Sequence, residues 1–268
     1  MKKNFLTLSA FCLLLSLSSC ELGTKHTQQL VNNEQTASSA FAIETISVEK
    51  GTESKSINFK YDIDFPQEGP EALTTAVKQT IFQTLGDSTT TDFSIENLNK
   101  IGERYVADSQ KDMEEFGDMH YEEGRTVYEL SGNVKMEENT DKYLTYAIND
   151  YSYAGGAHGI TREIYLTFNK STSQLMQWED IFPASNREQL GELVKAAIVE
   201  QYYRGEHEWD DFFKFTLPAQ APAFTTDGLL FIYAAYEIDA YAAGLPKCVI
   251  PYENLKSLMT PEAQALVD

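Results

Sequence analysis

Tyr151-Ser152-Tyr153-Ala154-Gly155-Gly156-Ala157-His158-Gly159 is the stretch on which the reading of this chain turns. Before it, residues 142–153 alternate in two registers at once, Tyr143, Thr145 and Ala147 against Leu144, Tyr146 and Ile148. After it, Ile160, Ile164, Leu166 and Phe168 resume a period of two. The pattern is strand, tight loop, strand. Glycines at 155, 156 and 159 allow positive φ without a Cβ clash, so the loop can reverse sharply and turn consecutive N–H groups into one concavity beside the titratable imidazole of His158.

Upstream, Ser56 to Phe65 places Ile57, Phe59, Tyr61, Ile63 and Phe65 on one face and Asn58, Lys60, Asp62 and Asp64 on the other. This predicts a strand with one buried face. Residues 42–48 are its expected hairpin partner, with Gly51 in the turn. The spacing of Leu73, Val77, Ile81 and Leu85 is helical, and a second helix is expected from Ser94 to Phe116 with Leu98, Ile101, Tyr105 and Met113 on its apolar side. Its acidic end suits a helix C-terminus poorly, since the dipole favours cations there. Tyr128 and Leu130, then Val134 and Met136, predict two shorter strands around Ser131-Gly132-Asn133.

Downstream, Asn169 to Gln174 reads as a polar turn, and Trp178 as a core anchor whose N–H is satisfied locally. Ser185 and Glu188 make an S-x-x-E capping box for a helix bearing Leu190, Leu193, Val194, Ala197 and Ile198. Asp227-Gly228 is a type I′ hairpin signal between Phe224–Thr226 and Leu229–Tyr233. Lys247 to Ile250 is a further strand, and Thr260 before Pro261 starts a short helix. Hairpins and separate helices without βαβ alternation predict an α+β fold: antiparallel sheets with helices packed on one side, in two intimately associated modules.

The chain begins with Lys2 and Lys3 and an apolar run from Phe5 to Leu17, the pattern of an export signal. That run is shorter than the roughly 20 apolar residues a bilayer span needs. Leu17-Ser18-Ser19-Cys20 resembles the lipobox of bacterial lipoproteins, which are cut before the cysteine and carry lipid on its thiol. A plain secretory signal cut at a small-x-small site is the alternative. The expected organisation is a signal over 1–19, a lipidated flexible tether over 20–40, an N-terminal module over 41–157 and a C-terminal module over 158–268. The expected location is the cell envelope, with membrane contact through lipid at Cys20. Cys12 leaves with the signal, so Cys248 alone remains in the folded part, and no internal disulfide is expected. In its apolar strand Cys248 reads as a buried, inert thiol.

The formal charge is −20, and losing Lys2 and Lys3 with the signal makes it two units more negative. Such a field repels nucleic acid and anionic lipid and speeds encounter with cationic partners. Metal-capable side chains occur in His120-Tyr121-Glu122 and around His207, yet no pair has the spacing of a zinc site. No G-x-S-x-G elbow, H-E-x-x-H or P-loop occurs. No metal, cofactor or catalytic residue is therefore expected. The 15 tyrosines serve as ordinary sheet material or, where exposed, as stacking surfaces for sugars and protein anchors.

Tyr153 to Gly159, then Tyr165-Leu166-Thr167-Phe168-Asn169 and Trp178-Glu179-Asp180-Ile181-Phe182, resemble the paired domains of unknown function in the RsiV-like ectodomain family, whose namesake is a lysozyme-sensing anti-sigma factor. The blocks Thr226 to Leu229, Tyr236-Glu237-Ile238, Tyr241-Ala242-Ala243-Gly244 and Ile250-Pro251-Tyr252 continue the resemblance, which spans roughly Ile43 to Met259. The upstream half is similar to the module that precedes the deacetylase domain of PdaC. Ala154 stands where the family usually has threonine. A signal, a lipid site and a tether take the place of the sigma-binding segment and transmembrane helix of RsiV, so sigma-factor control is not carried over, and neither is deacetylation. The resemblance implies a lipid-anchored envelope binding module for a cationic muramidase of the lysozyme type or for peptidoglycan. The alternatives are an envelope enzyme acting on cell-wall glycan and a structural subunit of an envelope complex. The candidate ligand-binding residues are Tyr153, Gly155, Gly156 and His158 on the loop, and Tyr236, Glu237 and Tyr241 in the C-terminal blocks.

Overall fold

The computed structural model describes residues 40–54, 56–115, 126–206, 209 and 214–268. The signal, Cys20, His120 and His207 lie outside the described residues. Strands β1 (Ala42–Gly51) and β2 (Ile57–Glu68) form the expected antiparallel hairpin, but Gly51 is paired with Asn58 in the ladder and is not in the turn. Ile57, Phe59, Tyr61, Ile63 and Phe65 are all buried, as their period of two requires. Pro66, which cannot donate to a ladder, sits opposite Ile43 where the register of the pair shifts.

Helices α1 (Glu71–Thr84) and α2 (Ile95–Glu115) then lead into β3 (Tyr128–Asn139). Strand β3 runs parallel to β2, with Ile57 opposite Tyr128 and Ile63 opposite Val134. The hairpins are otherwise antiparallel, so the α+β reading holds with one parallel crossover added. The crossover lays Leu73, Val77 and Ile81 of α1 and Leu98 and Ile101 of α2 onto the buried face of β2. Ser131-Gly132-Asn133 is the middle of one continuous strand and not a turn between two short ones. Its glycine serves close approach: a Cβ on Gly132 would lie 2.2 Å from the Asn149 carbonyl oxygen of the next strand.

Strands β4 (Tyr143–Ala154), β5 (Ile160–Asn169) and β6 (Gln174–Leu175) complete a six-stranded sheet in sequence order. The two registers of β4 have two different destinations. Leu144, Tyr146 and Ile148 enter the core beneath α1 and α2, whereas Tyr143 enters a second core. That second core is built by α3 (Trp178–Ile181), α4 (Arg187–Gln201) and a three-stranded sheet of β7 (Ala223–Thr225), β8 (Gly228–Ile232) and β9 (Lys247–Ile250), with α5 (Tyr252–Leu255) and α6 (Pro261–Ala265). Ser38–Asp268 is one compact unit, and the six-stranded sheet runs across the 157/158 position.

A closed ring of hydrogen bonds joins the sheets. Thr145 Oγ1 donates to the Phe224 carbonyl at 2.8 Å, the Phe224 N–H donates to Thr167 Oγ1 at 3.0 Å, and the two threonine oxygens are 2.9 Å apart. With the Thr145 hydrogen committed to Phe224, Thr167 donates to Thr145. Two side chains thus supply the pairing that the β7 backbone would otherwise lack.

Three local expectations are corrected. The Ser185/Glu188 box does not form, because a 3-10 turn over Ala184–Asn186 makes Asn186 the N-cap; Ser185 Oγ bonds Asn186 Oδ1, and the Asn186 amide donates to the Leu258 carbonyl at 2.9 Å. The hairpin of β7 and β8 turns on Thr226-Asp227, neither of which has positive φ, so it is not type I′; Gly228 already pairs with Thr225. The Trp178 N–H reaches 40 residues along the chain, to the Pro218 carbonyl at 3.1 Å, and is not satisfied locally. The Thr260 cap does form, its oxygen accepting from the Ala263 N–H.

Candidate functional site

The loop between β4 and β5 turns as its glycines predict. Gly155 and Gly156 have φ of 75° and 92°, and a Cβ at either would meet nothing within 4 Å. The demand at both is torsional, not steric. The Gly155 N–H donates to the Val127 carbonyl at 2.9 Å, so it does not face a ligand concavity. Tyr153 folds back over the loop and donates to the Gly156 carbonyl at 3.0 Å.

His158 is exposed and closes the turn with Nδ1 2.9 Å from the Gly159 carbonyl oxygen. Since that oxygen only accepts, Nδ1 is the donor in this contact. The imidazole stacks on Tyr241, with ring centroids 4.3 Å apart and planes 19° from parallel. Tyr241 donates to the same Gly159 carbonyl at 2.7 Å. Tyr151 lies across Gly159 so closely that a Cβ there would fall 2.4 Å from its ring.

Tyr236 stacks against Tyr241 at 5.5 Å and 28°. Its φ is 69°, a left-handed conformation that a bulky residue adopts only when its surroundings impose it. Glu237 supplies part of that imposition: its two carboxylate oxygens take the N–H groups of Ala219 at 2.6 Å and Ala234 at 2.7 Å. Glu237 is thus a clamp on the loop, with its charge turned to backbone donors. Tyr203 and Tyr202 tie the same loop through Asp239 Oδ2 at 2.9 Å and the Ala243 carbonyl at 2.6 Å.

The structure therefore brings His158, Tyr236 and Tyr241 into one stack, sets Glu237 behind it and leaves Tyr153, Gly155 and Gly156 as the frame of the adjoining loop. Two members were not singled out from sequence. Of the four large apolar side chains most exposed among the described residues, Tyr151 at 37%, Ile160 at 48% and Tyr236 at 53% stand on the loops and strand ends that make this corner. Strand alternation gives Tyr151 and Ile160 no mark that separates them from half-buried sheet residues.

Behind the corner, Asp150 is buried between Arg162, whose Nη2 lies 2.5 Å away, and the Tyr61 hydroxyl at 3.1 Å. Burial, then the neighbouring Asp150 charge, raises the Tyr61 hydroxyl far above the usual phenol range. The paired guanidinium holds the carboxylate in place. Lys247 pairs with Glu163 at 2.9 Å. Burial pushes the Cys248 thiol up to about 12, which makes it the inert thiol expected. Among the described residues no group of three or more His, Cys, Asp or Glu side chains is placed to hold a metal ion. A groove of about 940 Å³ lies at the other end of β4, bordered by Phe41, Thr140, Lys142, Lys170 and Leu266. Its lysines are taken by protein oxygens, Lys142 by the Ala265 carbonyl at 2.8 Å and Lys170 by Asn139 Oδ1 at 2.6 Å.

Residues 52–161 match the family described as Deacetylase PdaC, and residues 179–253 match the protein family of unknown function DUF3298. The chain's two matched segments are of the PdaC and DUF3298 types. Among solved structures, the chain is similar to a member of the DUF3298 family from Bacteroides fragilis, at 20% identity and a TM-score of 0.72 over 84% of this chain and 96% of that one. It is also similar to a DUF3298 family protein from Pseudomonas aeruginosa, at 17% identity and a TM-score of 0.56 over the same shares. Identities this low carry the fold alone. Among curated proteins none matches. The corner falls where the two matched segments meet, Tyr151, His158 and Gly159 coming from the first and Tyr236 and Tyr241 from the second.

Proposed function

We propose that this protein is an RsiV-like, lipid-anchored binding module of the cell envelope, and that its ligand is a cationic muramidase of the lysozyme type. The observation that carries the reading is the corner itself: exposed rings on a loop held in a strained conformation, the arrangement of a recognition surface and not of an enclosed small-molecule pocket. Aromatic side chains in such a setting dominate the energetics of protein interfaces. A formal charge of −20 selects a cationic partner. Anchoring follows from Leu17-Ser18-Ser19-Cys20, with lipid on Cys20.

The wall glycan is the second ligand class, since tyrosine faces also stack on sugar rings. An envelope enzyme acting on that glycan is favoured by the deacetylase description of the family matched over 52–161. One set of measurements separates the three. A muramidase binder retains lysozyme and leaves purified sacculi in solution. A glycan binder sediments with sacculi, and an enzyme releases soluble product from them.

A further inference from the structure

We infer that the group received at this corner is a cationic side chain of a protein ligand, an arginine guanidinium or a lysine ammonium laid against the open face of Tyr236. The inference rests on the binding reading above and names the chemistry of its contact. One side of the Tyr236 ring is taken by Tyr241, while 53% of the residue remains exposed. The ring is held there at a cost, because a left-handed bulky residue is unfavourable unless the fold imposes it. The Glu237 clamp and the Tyr241–Gly159 bond supply that hold.

Aromatic faces carry partial negative charge and attract a cation within about 6 Å of the ring centre. The protein uses this contact internally, with Lys78 4.8 Å from the Phe65 ring centre and Arg187 5.5 Å from that of Trp178. The cationic side chains on the strands beside the corner already have carboxylate partners, Arg162 with Asp150 and Lys247 with Glu163. They do not compete for Tyr236. The charge of −20 draws in foreign cations and works against glycan strands that carry carboxylates. A neutral sugar gains stacking alone, so the observations favour the cation.

The test follows the ring NMR signals of Tyr236 and Tyr241 in the full chain, in detergent micelles, during separate titrations with N-acetyl-L-arginine amide and tri-N-acetylchitotriose. The arginine probe is expected to shift both rings saturably, and the sugar to leave them in place. Tyr236→Phe should keep the response, and Tyr236→Leu should lose it and weaken lysozyme binding at least tenfold. A shift with the sugar alone, or lysozyme binding unchanged in a folded Tyr236→Leu, overturns the inference. The wild-type comparison of the two probes stands even if that variant does not fold. Arginine shifts without any lysozyme binding support this contact while removing the muramidase, so the two failures are distinct.

Discussion

The Tyr241 hydroxyl donates to the Gly159 carbonyl across 2.7 Å and 82 residues, tying the loop before β9 to the loop between β4 and β5. The His158 ring packs on the same tyrosine and meets the same carbonyl. Tyr241→Phe keeps the stack and removes one donor. It should lower unfolding stability by about 0.5–1.5 kcal/mol, the usual net worth of such a bond. Urea denaturation with an unchanged midpoint would show that His158 alone satisfies Gly159.

Gly156 adopts a positive φ with open space around it. Gly156→Val should therefore cost more than about 1 kcal/mol through the backbone alone. Thermal melting of the variant is the check, and a midpoint equal to wild type would mean that the loop relaxes freely.

Asp64 lies in the solvent register of β2, yet it is buried and accepts from Thr45 Oγ1 at 2.7 Å, Lys135 Nζ at 3.1 Å and the Met136 N–H at 3.2 Å. Burial by itself raises its pKa, but these donors together bring it below the ordinary carboxylate value. A lowered folded pKa binds protons less readily than the unfolded chain does. Its stabilisation is thus present above the unfolded value of about 3.9 and is lost as pH falls through the lower folded one. Wild type should lose stability over that acid range faster than Asp64→Asn. Parallel pH profiles would remove Asp64 from the account.

Cys20→Ala should leave the precursor uncut and without lipid, as read by mobility on gels and by labelling with a radioactive fatty acid. Cleavage and release like wild type would contradict a lipobox at Leu17–Cys20.

The legible parts of the fold were those written in local periodicity. The alternation of Ile57 to Phe65 marked β2, and the double register of Tyr143 to Ile148 marked β4, though not that both of its faces are buried. The parallel pairing of β2 with β3 left no such trace, because it depends on where two helices carry the chain. Gly132 looked like a turn because a glycine needed for close approach has the same letter as one needed for φ. Ser185 lost the N-cap position to Asn186, whose side chain turns to the Leu258 carbonyl instead of capping, once Pro183 and a 3-10 turn shifted the helix start. At the site, Tyr236, Glu237 and Tyr241 were marked only through the family resemblance, and the glycines and His158 through the backbone freedom and the imidazole of their own loop. Their contact with Tyr241 lies far along the chain, and nothing in the letters around Tyr236 announces its left-handed backbone.

The central claim is selective recognition of a cationic muramidase, and calorimetric titration of the protein with lysozyme and with an equally basic unrelated protein tests it most directly. Charge attraction is screened over about 8 Å at physiological salt, so adhesion driven by charge alone should be weak there and the same for both. The account predicts clear preference for lysozyme at physiological salt, with faster association as salt is lowered. Equal affinity for the two proteins, or no lysozyme binding even at low salt, would contradict it.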